Sequence, residues 1–164
     1  MKIILRTKDG EELETFVEEL SREFPELERR EDRSLEPAPA LGIGNISFHG
    51  VPRGREAGVF REILRKCTGA SWARENLVEV KIFTTPTCRF CEKAVSAAAE
   101  LSMMGKRLRL MVYDATWFAE LAEEYEVTSV PKIVIAGRLF IESHTTREGY
   151  RRLILEGLQQ LGLA

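Results

Sequence analysis

Two of the three cysteines stand three residues apart, in Cys88-Arg89-Phe90-Cys91. Residues at that spacing share one face of a helix, so the two sulfurs can close a small disulfide ring or open as a dithiol. The chemistry on offer is thiol–disulfide exchange, which needs one nucleophilic thiolate and a second thiol to resolve the mixed disulfide. The flanking residues suit it. Val78 to Thr84 reads as a buried strand, Thr85-Pro86-Thr87 as a turn, and the alanine-rich run from Cys88 as a helix. Unpaired N–H groups and the positive dipole end at a helix start favour a thiolate at Cys88, the outer sulfur, and Arg89 beside it pushes the same way.

A competing use for such a pair is half of a structural zinc site, which takes four ligands. The other candidates are Cys67, His49 and His144, and none of them forms a second paired cluster. A Cys-x-x-Cys beside a strand–helix–strand pattern resembles the redox signature of the thioredoxin class. That resemblance implies a proline with a cis peptide bond at the start of a later strand, packed against the disulfide. Thr128-Ser129-Val130-Pro131-Lys132, leading into the apolar strand Ile133-Val134-Ile135, fits it, which sets Val130 and Pro131 beside the cysteines.

The rest of the chain has to position these groups. At 164 residues and a net charge of −2, it is sized for one large domain or two small ones, and its bulk charge points to no nucleic-acid partner. No apolar run approaches membrane-spanning length, and Met1 to Leu5 is followed by Arg6, Lys8 and Asp9 rather than a leader, so the reading is cytoplasmic with no membrane partner. A strand over residues 2–7, a turn at Asp9-Gly10 and a helix with Leu13, Phe16, Val17, Leu20 and Phe24 inward open the chain. Leu27 to Arg33 reads as a charged edge strand, followed by strands 41–43 and 46–48 and a helix from Arg55 with Val59, Phe60, Ile63, Leu64 and Cys67 inward. On that face Cys67 reads as an inert thiol, with a regulatory role as the alternative. Thr68 to Ser71 marks a boundary. The order then repeats: strand 78–84, helix 88–103, strand 107–113, a short added helix near 118–125, strands 132–136 and 138–142 turning at Gly137, and a helix opened by a capping pair, Thr145 and Glu148.

The halves thus read as an internal repeat, residues 1–70 and 71–164, each in the order strand, helix, strand, strand, strand, helix. Ala38-Pro39-Ala40 answers Val130-Pro131-Lys132, and Arg55-Glu56 answers Arg147-Glu148. Where the second half has Cys88 and Cys91, the first has Asp9-Gly10-Glu11-Glu12. The expected fold is α/β, two tandem thioredoxin-like units with mixed four-stranded sheets flanked by helices, the first unit without the active cysteines.

This arrangement resembles the N-terminal domain of the flavoprotein subunit of alkyl hydroperoxide reductase and, more broadly, the glutaredoxin-like protein disulfide oxidoreductases. The residues that carry the likeness are Glu31-Asp32-Arg33-Ser34-Leu35, the run from Phe48 to Glu56 with its Gly-x-Pro-x-Gly-x-Glu pattern, Thr85 to Cys91, and Ser129 to Lys132. The resemblance implies a protein-disulfide reductase. It would pass electrons from a separate thioredoxin-reductase-like flavoprotein to a 2-Cys peroxiredoxin or another disulfide-bearing protein, with no cofactor beyond the Cys88–Cys91 disulfide. The backbone near Val130 and Pro131, with Thr87, Arg89 and Phe90, would flank an extended partner segment, and Trp117 could add apolar contact. The carboxylate that thioredoxins bury six residues before the first cysteine is replaced here by Ile82. The resemblance assigns its proton-handling role to Glu56, supplied by the first half; the alternative is a carboxylate that merely favours the start of its helix. Two other functions fit the same residues: a general disulfide reductase or isomerase, and a non-catalytic adaptor built on thioredoxin-like surfaces.

Overall fold

Burial alternates along Ile3–Lys8 (β1) and over the first five residues of Val78–Thr84 (β5), the two-residue period of strands with one face against a core. In the computed structural model, which describes residues 2–8 and 10–164, these strands belong to one mixed sheet. Asp9, half of the turn expected at Asp9-Gly10, lies outside the described residues. The remaining elements are α1 (Glu11–Glu23), β2 (Leu27–Glu31), β3 (Ala40–Ile43), β4 (Ile46–His49), α2 (Gly54–Lys66), α3 (Arg89–Met103), β6 (Leu108–Asp114), α4 (Ala119–Glu124), β7 (Lys132–Ile135), β8 (Leu139–Ile141) and α5 (Arg147–Gln160).

The sheet has eight strands in the order β2-β1-β3-β4-β6-β5-β7-β8. Within each half the pairing is the same: the first strand runs parallel to the second and antiparallel to the third, and the third is antiparallel to the fourth. Instead of two separate four-stranded sheets, β4 and β6 pair in parallel, with Ile46 opposite Leu110 and Phe48 opposite Val112. β4 is wholly buried and β6 buries Leu108, Leu110 and Val112 to Asp114, and joining them removes two edges that would otherwise be open to aggregation. Charged β2, as expected, takes an outer edge.

The main core lies between one face of the sheet and helices α1, α2, α3 and α5. On the other face, α4 covers a small cluster of Phe83, Tyr113, Ala122 and Val134. Phe60 of α2 meets Phe48 of β4 edge-on at 5.0 Å and is fully buried. Because residues four apart share a helix face, the burial of Phe60 turns Glu56 inward as well. Among the described residues, no helix is long and apolar enough to cross a membrane.

Two local expectations need correction. The N-cap of α5 is Thr146, not Thr145: its hydroxyl accepts the Gly149 N–H at 3.0 Å, the third helical position that a cap reaches. Cys67 packs against the main core, as expected, but lies just past the end of α2, in a 3-10 turn over Cys67–Gly69, half-buried and donating its thiol to the Leu64 carbonyl.

Candidate active site

Cys88 and Cys91 form a disulfide with their Cα atoms 5.2 Å apart. Cys88 is the N-cap of α3, and the Cys91 N–H donates to its sulfur at 3.1 Å, so an orphan helix donor points at the atom that would carry negative charge. The exposures of the two sulfurs differ. Cys88 is half-buried, whereas Cys91 is 2% exposed. An incoming group can reach Cys88 from solvent, and Cys91 only through Cys88. The Val130–Pro131 peptide bond is cis, as the resemblance implied, and the Val130 carbonyl oxygen lies 3.9 Å from the Cys88 sulfur. Thr87 and Arg89 are exposed beside the pair, and Phe90 is half-buried. Trp117 is not part of this surface; it lines a separate hollow with Glu36, Pro37 and Phe118.

Behind the disulfide is a narrow crevice of about 10 Å³, room for about one water molecule, lined by Glu56, Val59, Thr84, Thr85, Cys88, Cys91, Glu92 and Val95. Glu56 is only 6% exposed and makes no capping bond, so a solvated carboxylate at a helix start does not describe it. One of its oxygens accepts from the Thr84 hydroxyl at 3.0 Å; the other has no hydrogen-bond partner among the described residues. Burial pushes its pKa up from 4.5 to about 7, the Thr84 bond and Arg53 pull it down, and Asp114 pushes it up. Asp114 is 1% exposed and sits opposite Thr84 in the β5–β6 register, with Arg53 3.9 Å from its unbonded oxygen. Thr84 and Asp114 were not singled out by the sequence as partners of Glu56. The two-residue period was the signal available, since Val78, Val80, Ile82 and Thr84 share one face, and Leu110, Val112 and Asp114 share the same face of the next strand.

The glycines of the Gly-x-Pro-x-Gly-x-Glu run have a physical reason to be glycine. Gly54 has φ 57°, and a Cβ there would lie 2.7 Å from the Pro86 carbonyl oxygen, the same oxygen that accepts the Arg55 N–H at 3.0 Å. The start of α2 is thereby docked on the turn that leads into Cys88, and an Arg55–Glu92 pair at 3.2 Å ties α2 to α3 at the mouth of the cleft. Gly54→Ala should therefore lower stability by about 2 kcal/mol or more, from a forbidden backbone conformation plus a backbone clash. It should also slow turnover. A denaturant titration checks the first, and a turnover assay the second.

Glu56 also sets a pH dependence. Its folded pKa is raised, so the stability it contributes is full below about 4.5 and is lost as pH rises through about 7. The difference amounts to about 3 kcal/mol. Glu56→Gln removes that slope, so wild type and variant should diverge in the variant's favour between pH 5 and 8 when thermal unfolding is followed across pH.

The two histidines occupy unlike places. His49 is buried, with Nδ1–H donating to the Pro37 carbonyl at 2.9 Å and Nε2 accepting from the Ser47 hydroxyl at 2.8 Å, and burial lowers its pKa. It pins the loop before β3 to β4. His144 sits at the disulfide. Among the described residues, no three His, Cys, Asp or Glu side chains converge as a metal site.

The helix-capping Cys-x-x-Cys disulfide facing a cis-proline loop sits on a thioredoxin-like α/β fold. The family described as "Thioredoxin domain" matches residues 78–148. Among curated proteins it is similar to the alkyl hydroperoxide reductase F subunit of Xanthomonas campestris pv. phaseoli, 23% identical over 134 residues, covering 73% of this chain and 25% of that protein. The chain thus spans about a quarter of that relative's length. Among solved structures it is similar to the NTD_N/C domain of alkylhydroperoxide reductase AhpF from Enterococcus faecalis, with a TM-score of 0.74 at 18% identity, covering 93% of this chain and 90% of that one. A protein disulfide oxidoreductase from Aeropyrum pernix gives a TM-score of 0.61 at 17% identity over 83% of this chain and 77% of that one. At these identities the structural likeness establishes the fold alone.

Proposed function

We propose that this chain is a protein-disulfide reductase working through Cys88 and Cys91, built from two thioredoxin-like units, residues 1–70 and 71–164, of which only the second has the dithiol. The observation that carries the reading is the exposure difference between the sulfurs: Cys88 accessible at a helix N-terminus, Cys91 shielded beside the Glu56 cleft. The identical strand pairing of the two halves supports the two-unit reading.

The reduced protein attacks a partner disulfide with the Cys88 thiolate. The partner's S–S bond breaks, a Cys88–partner bond forms, and the first partner sulfur leaves as a thiolate that takes a proton from solvent. Cys91 then loses its proton to Glu56 and attacks the Cys88 sulfur; the mixed disulfide breaks, and the second partner thiolate receives the proton back from Glu56. The partner gains two electrons and the Cys88–Cys91 disulfide is left behind. An external dithiol restores the reduced state. Val130 and Pro131, with Thr87, Arg89 and Phe90, form the edge along which an extended partner segment docks. The reading takes a 2-Cys peroxiredoxin as the partner and a thioredoxin-reductase-like flavoprotein as the source of that dithiol, in the cytoplasm.

Cys91→Ser tests the partner directly, because it stalls the mixed disulfide on Cys88. The expected capture is a peroxiredoxin. Peroxide turnover by a peroxiredoxin with NADPH and a flavoprotein, proceeding at the same rate with and without this chain, contradicts the assignment.

A further inference from the structure

The β7–β8 hairpin brings a histidine with no part in the exchange steps back over the disulfide. The hairpin register pairs Ile133 with Ile141, and continuing it past both strand ends sets His144 opposite Val130. His144 Nε2–H donates to the Val130 carbonyl at 3.2 Å; a carbonyl only accepts, so the proton is on Nε2. The ring also lies flat against Phe90, with centroids 4.7 Å apart and planes within 7°. His144 therefore bridges Phe90, between the two cysteines in sequence, and the cis-proline loop. Val130 N–H makes no hydrogen bond among the described residues; its carbonyl accepts from His144 and also lies 3.9 Å from the Cys88 sulfur, which as a disulfide sulfur has no proton to donate. An extended segment that pairs with one residue of an edge uses that residue's N–H and its C=O together.

We propose that His144 is a removable plug on the docking edge, a positioning residue that sets which disulfides reach Cys88. The inference rests on the exchange reading above. A partner with an extended backbone must expel the His144 ring from the Val130 carbonyl before its own N–H can take that acceptor. A small disulfide without a peptide backbone makes no such exchange.

His144→Phe keeps a ring to stack on Phe90 and removes the donor. With the pre-reduced protein as the sole thiol, we expect the ratio of the second-order rate constant for insulin to that for 5,5′-dithiobis(2-nitrobenzoate) to rise about 2- to 10-fold, the effect of one modest hydrogen bond. His144→Gln restores a donor and should bring the ratio back toward wild type. A His144→Phe ratio that is unchanged or lower overturns the plug while leaving the exchange reading in place. A wild-type protein inert toward both disulfides overturns the exchange reading, and the plug with it.

Discussion

Cys88→Ser should reduce disulfide turnover to the uncatalysed background, a fall on the order of 10³-fold or more, while the protein stays folded. A serine hydroxyl at the same helix N-terminus receives the same Cys91 N–H but does not ionise near neutrality and cannot form a disulfide. Cys91→Ser behaves differently. The attacking thiolate survives, so one round of mixed-disulfide formation persists and only its resolution fails. Near-UV spectra and thermal unfolding should place both variants close to the reduced wild type, because Cys88 is half-exposed and the fold around Cys91 depends on the cluster beneath α3. Insulin reduction by dithiothreitol then separates the two, with Cys91→Ser accumulating a covalent adduct that Cys88→Ser never forms.

Glu56→Gln should slow turnover about 10²-fold or more, the scale of a lost general base. The carboxyl is buried with one oxygen unbonded, on a cleft it shares with Cys91, and burial holds it near neutrality, where it can both accept and return a proton. Glutamine keeps the shape and can still receive the Thr84 hydroxyl bond. The pH profile gives the discriminating readout: the wild-type rate rises through about pH 7 as Glu56 becomes a base, and the variant lacks that limb. Asp114→Asn should shift the wild-type limb to lower pH, since the Asp114 charge helps keep Glu56 protonated. Rates that match across pH 6 to 9 in Glu56→Gln and wild type would leave Glu56 as a packing residue.

The dithiol was legible because its chemistry is confined to one helical turn. Strand, turn and helix around Cys88 are all local, and their apolar spacing reads directly. Elements elsewhere followed the same logic to within a residue or two, and the Thr145 cap failed by one because Thr145 and Glu148 match the capping-box pattern, whereas the cap is the adjacent Thr146, with Gly149 three residues on. Glu56 came into view only by resemblance. What places it at the disulfide is a contact between Gly54 and the Pro86 carbonyl, and no local pattern encodes an approach across that separation. The continuous sheet was missed for a similar reason. The parallel pairing of β4 and β6 joins strands far apart in sequence, and each reads alone as an ordinary buried strand. His144 could have been found. A turn at Gly137 fixes the hairpin register, and that register carries His144 to Val130.

The central claim is that Cys88 and Cys91 together carry two electrons to a protein disulfide. Its most direct measurement mixes the fully reduced protein with insulin under anaerobic conditions and follows each thiol by alkylation and peptide mass spectrometry. The account predicts that Cys88 and Cys91 lose their label together, one disulfide formed for each insulin disulfide reduced, while Cys67, half-buried and bonded to Leu64, keeps its label throughout. Insulin left oxidised with Cys88 and Cys91 still labelled, or reduction that tracks Cys67, would contradict it.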